Sequence, residues 1–97
     1  MSVWKAAKRD IVYLDPGAVI IMDGIEHFAG YDVVGLHARI STPIVTRAGN
    51  EGVTQSGQKY VIRDQQDVLN DECCWLIRKA AIAWKVNDWH FLKTLTK

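Results

Sequence analysis

Apolar and polar positions divide the chain into two regimes. Up to about residue 63 they form short runs of period two, broken by turn residues; beyond residue 67 they follow a helical period. Asp10–Leu14 reads as a strand, and Asp15-Pro16-Gly17 behind it carries turn chemistry, with proline pre-set in φ and glycine free to take positive φ. Ala18–Met22 is a second apolar run, closed by Asp23-Gly24, a strong two-residue hairpin signal. The segment 25–32 reads as strand plus loop, which places Glu26 and His27 on an accessible loop. Val33–Ile40 and Ile44–Arg47 are strand-like around Ser41-Thr42-Pro43, where proline implies a bend or an edge. Turns at 49–52 and at Ser56-Gly57 bracket Val53–Gln55 and lead into Lys59–Arg63, in which Tyr60 and Ile62 share one face. Val3–Lys8 is an amphipathic start of one or two helical turns, and Trp89–Leu95 alternates well enough for a last strand.

Asp67–Lys85 is the helical stretch. At 100° per residue, Leu69, Cys73, Cys74, Leu76, Ile77, Ala80, Ala81, Ala83 and Trp84 fill one arc of about 180°. Asp64, Asp67 and Asn70 are each suited to cap it, and Asp71 and Glu72 complement the helix dipole in the first turn. A competing reading makes Cys74–Arg78 a strand, since Trp75 and Ile77 favour β structure. The elements imply an α+β fold: an antiparallel β-meander sheet, open or curled toward a small barrel, packed by one main C-terminal helix.

Length bounds the rest. A chain of 97 residues makes one small domain, 1–97, that buries roughly 65% of its unfolded surface, enough for a core without staples. The longest apolar run is Ala18–Met22, too short to cross a bilayer, and no apolar stretch follows Lys5, Lys8 and Arg9, so no signal peptide is expected. Cys73 and Cys74 are adjacent, where a disulfide would be strained, so both read as free thiols of a reducing cytoplasm. Net charge is +1, against a dedicated nucleic-acid binder or a polybasic membrane anchor. Basic residues interleaved with Trp84 and Trp89 would suit single-stranded nucleic acid, but the acidic blocks at 10–32 and 64–72 weigh against it.

Candidate chemistry is sparse. No His or Cys pair has zinc spacing, so no metal or other cofactor is expected. The glycines form no phosphate-binding loop. Cys73 in the first turn of the helix would have its pKa lowered by the dipole, and Glu26 and His27 stand side by side. Together these three define one possible small-molecule or hydrolase-like site between helix and sheet. Both cysteines also fall on the apolar arc, where a thiol acts as a small hydrophobe.

Trp75 and Ile82 lie at about 240° and 220°, in the middle of the polar arc. Asp71, Arg78, Lys79 and Lys85 surround them, a composition suited to an interface. The alternative is that another segment of the chain covers the pair. The stretch Leu36–Ile62 carries Thr-Pro-Ile-Val, then Val-Thr-x-Ser-Gly, then Tyr-x-Ile. In this it resembles small uncharacterised bacterial accessory proteins of phage, plasmid and integron-cassette type, a resemblance that implies a mobile-element gene product and no particular catalysis. The leading expectation is a non-enzymatic, cytoplasmic protein-interaction module. It self-associates as a homodimer, or binds a protein partner, through Trp75, Ile82, Arg78, Asp71 and Lys85. The other reading is the small-molecule or hydrolase-like site at Glu26, His27 and Cys73.

Overall fold

A bulge in the first strand organises the molecule. The computed structural model describes residues 10–93, so the readings for Val3–Lys8 and for the end of the last strand fall partly or wholly outside it. Strand β1, Ile11–Met22, runs straight through Asp15-Pro16-Gly17, which is no turn. Opposite it, β2 (Ile25–Asp32) pairs Leu14 with Asp32 and Gly17 with Gly30, so β1 holds one residue more than its partner there. An inserted residue exchanges the two faces of a strand. Val12 and Leu14 therefore share a cluster with Val19, while Ala18, Ile20 and Met22 belong to another. Pro16 and Gly17 suit the bulge for the reasons that made them suggest a turn: proline donates no ladder hydrogen bond, and glycine tolerates crowding.

The segment 25–32 is strand throughout. Asp23 and Gly24 take φ of 49° and 84°, the left-handed pair that a two-residue hairpin needs. Val33–Leu36 is a turn rather than strand, held by the buried Asp32 carboxylate, which accepts from the N–H groups of Val34 and Gly35 at 3.1 and 3.0 Å. Strand β3, His37–Ala48, passes through Thr42-Pro43 with an extra residue against β2. Ser41 lies at that irregularity, and its hydroxyl accepts from Phe28 N–H at 2.8 Å. β4 (Glu51–Thr54) and β5 (Lys59–Ile62) complete the meander.

The sheet closes. Its order is β2-β3-β4-β5-β1, with β1 also paired to β2. Four antiparallel neighbours in succession leave the first and fifth strands pointing the same way, so the closing pair β1–β5 must be parallel, and it is, from Ile11↔Lys59 to Leu14↔Ile62. The short strand β6, Trp89–Phe91, adds to the far half of β1.

Helix α1 is Asp71–Ala83, shorter at both ends than the arc suggested, and Cys74–Arg78 is helical. Asn70 is the cap; its side-chain oxygen accepts from Cys73 N–H at 3.0 Å. At the other end Lys85 takes φ 57°, Lys85 N–H bonds Ile82 C=O and Val86 N–H bonds Ala81 C=O, a Schellman arrangement without glycine.

Two cores result. Inside the barrel lie Val12, Leu14, Val19, Phe28, Tyr60 and Ile62. Outside it, Cys73, Ile77, Ala80 and Ala81 of α1, with Leu69, share a buried cluster with Ala18, Ile20, Met22 and Ala29. Strand β1 lines both.

Candidate functional site

Neighbouring residues of a strand point to opposite faces, and this separates Glu26 from His27. Glu26 lies on the side of Phe28, where Arg47 grips its carboxylate through Nε at 2.9 Å and Nη2 at 3.1 Å. His27 turns to the helix side and is buried, not on an accessible loop. Its Nδ1 lies 2.9 Å from Ser41 C=O. A carbonyl only accepts, so Nδ1 carries the proton and donates, and in the Nδ1–H tautomer Nε2 is the acceptor. The imidazole stacks on the indole of Trp84, with centroids 5.2 Å apart and planes inclined at 23°.

Cys73 is elsewhere, packed in the cluster between α1 and β1. Burial, then the carboxylate of Glu72 and the Cys74 thiol, push its pKa up. The shift is upward, contrary to the lowering expected from its first-turn position. The structure thus does not bring Glu26, His27 and Cys73 together, and the thiol is the opposite of an activated nucleophile.

His27 instead lines a cleft of about 420 Å³ whose other walls are Met22, Ile25, Pro43, Trp84 and Val86. Asp23 and Thr42 supply its remaining polar edge. The cleft exists because two turns and a bulge converge there. The Asp23 carboxylate accepts from Asn87 N–H (3.2 and 3.1 Å) and Asp88 N–H (2.9 Å), which ties the β1–β2 hairpin to the loop after α1. The left-handed Lys85 swings the chain back at the helix end, and the β3 bulge presents Pro43 opposite. Sequence reasoning assigned Trp84 to the apolar arc and missed this recess. Its walls come from positions 22–27, 42–43 and 84–86, which no single period connects; the Asp23-Gly24 signal was the visible trace.

The interface residues occupy a separate surface. Trp75 is 56% exposed and Ile82 77%, seven positions apart on α1. No described segment covers them; only the Lys79 ammonium stands over the Trp75 ring, 5.2 Å from its centroid. Asp71 and Arg78 are exposed on the same stripe, and Lys85 lies just past the helix end.

No protein-family model, curated protein or solved structure matches the chain. Among the described residues no group of three or more His, Cys, Asp or Glu could hold a metal ion. Nor is any helix there long and apolar enough to cross a membrane.

Proposed function

We propose that the protein is a non-enzymatic association module that pairs with a second copy of itself through the exposed stripe of α1. One observation carries the reading. α1 has its inner side packed on the barrel, yet presents Trp75 and Ile82 to solvent, one above the other. Charge supports a second copy as the occupant. Asp71 and Glu72 sit at the N-terminal end, while Arg78 and Lys79 follow, with Lys85 beyond the C-terminus. Two such helices laid antiparallel about a two-fold axis set acid against base at both ends and oppose their dipoles.

Size sets the strength. Thirteen residues make a helix of about 20 Å. Its contact falls short of the roughly 800 Å² per partner of a standard interface, so dissociation in the micromolar range is expected. Sedimentation velocity from about 10 to 500 μM should show a monomer–dimer equilibrium, and Trp75→Ser with Ile82→Lys should give a folded monomer. A wild type that stays monomeric at about 100 μM overturns the proposal. So does a double variant that still dimerises, or one that unfolds.

A further inference from the structure

The cleft under Trp84 holds a polar group that the fold fixes but does not use. His27 is only 4% exposed, and its ring is held by Ser41 on one side and by the Trp84 face on another. No buried side-chain nitrogen or oxygen among the described residues lacks a partner. Nε2, bonded to no described group, therefore meets solvent in the recess. A fixed acceptor on a mostly apolar wall is how small-molecule sites orient their ligands.

The lining narrows the ligand class. It contains no Lys or Arg, and its one charge is the Asp23 carboxylate, already capping Asn87 and Asp88. Phosphates and carboxylates find no cation there. Thr42 Oγ1 accepts from Ser56 N–H at 3.3 Å and keeps its O–H to donate, while His27 Nε2 is the lining side-chain acceptor with no described partner. Ile25, half exposed at the rim, Pro43 and the half-exposed Trp84 offer flat apolar surface. About 420 Å³ falls in the lower part of the range for small-molecule pockets and suits a molecule of one or two rings.

We infer that the cleft binds a small neutral aromatic molecule with a single N–H or O–H donor, its hydrogen bond made to His27 Nε2 and its ring held by Trp84, Ile25 and Pro43. The site is independent of the α1 stripe, so its failure and that of self-association are read separately. The test uses indole as probe, with N-methylindole, which keeps the ring and loses the donor, and benzoate, which adds a negative charge. Binding to the full chain is followed by the imidazole ¹⁵N resonances of His27 and the amides of residues 22–27 and 84–86. Indole should bind at least about tenfold more tightly than N-methylindole, the worth of one such hydrogen bond, and benzoate should not bind. In His27→Phe, which keeps an aromatic face for Trp84, the two indoles should bind equally. Ile25→Glu, at an exposed position that leaves the fold intact, should weaken both by about tenfold or more. Absence of cleft shifts with indole in the wild type overturns the inference, as does equal binding of the two indoles or an Ile25→Glu variant that binds unchanged. Should His27→Phe fail to fold, the probe pair and Ile25→Glu still decide the matter.

Discussion

At the scale of single residues, Gly30 is held on two sides by backbone. A Cβ there would stand 2.4 Å from Pro16 C=O and 2.7 Å from Gly17 Cα, both backbone atoms that cannot rotate away. The glycine is needed because the β1 bulge pushes the two chains together at that point. Gly30→Ala should therefore cost about 3 kcal/mol, the upper end for overpacking, read as a lower urea midpoint at unchanged slope. Cys73 makes a second case. Its raised pKa means that the folded chain holds the thiol proton more tightly than the unfolded one. That contribution is fully present below the unfolded value of about 9.0, and is lost as pH climbs through the folded pKa. Stability should thus fall on the alkaline side, and Cys73→Ala should flatten the decline in urea midpoint between pH 8 and pH 10. At pH 8, a Cys74→Ser variant, with only the buried thiol left, should react with a maleimide at least about tenfold more slowly than Cys73→Ser.

At the scale of elements, the sequence showed where local chemistry changes but not always what it changes into. The Asp23-Gly24 hairpin, the irregularity at Pro43 and a helix with Cys73, Ile77, Ala80 and Ala81 inward were legible, because each rests on neighbours within one or two turns of chain; Ala83 and Trp84 of the same arc are exposed. Asp15-Pro16-Gly17 was misread, since a bulge and a turn ask for the same residues. Only pairing with β2, some fifteen positions away, distinguishes them. The parity of apolar residues held the clue: even positions up to Leu14 and even positions from Ala18 enter different cores. His27 was misplaced because DGIEH looks polar, and its burial depends on Ser41 and Trp84, far along the chain. The helix end was set too late because no glycine marks it; Lys85 stands in the left-handed position instead. A non-glycine residue there costs about 1–2 kcal/mol, partly offset because it loses less chain entropy on folding than glycine would. Lys85→Gly should accordingly stabilise the protein by about 0.5–1 kcal/mol, raising Tm by roughly 4 °C in thermal unfolding followed by circular dichroism. Asn70→Ala should lower stability by about 1 kcal/mol through loss of the cap on Cys73 N–H.

At the scale of the whole molecule, barrel and helix layer are two cores that cannot come apart independently. They share β1, whose Val12, Leu14 and Val19 face the barrel interior while Ala18, Ile20 and Met22 face α1. β2 does the same with Phe28 and Ala29. Releasing α1 would expose the outer face of β1 and β2, two neighbouring strands of the barrel, and opening the barrel would remove the surface on which α1 folds. A helix of thirteen residues is marginal by itself in water, so it has no independent stability to retain. Unfolding should therefore be a single transition. Far-UV circular dichroism reports every element, and tryptophan fluorescence is weighted to the helix layer by Trp75, Trp84 and Trp89, so the two curves should coincide in urea. Phe28→Ala, in the barrel, should cost about 3–5 kcal/mol, and Ile77→Ala, under the helix, about 2–4 kcal/mol. Each should shift both curves together, with m unchanged. A fluorescence transition that precedes the circular dichroism transition in Ile77→Ala would show instead that α1 detaches from a barrel able to stand without it.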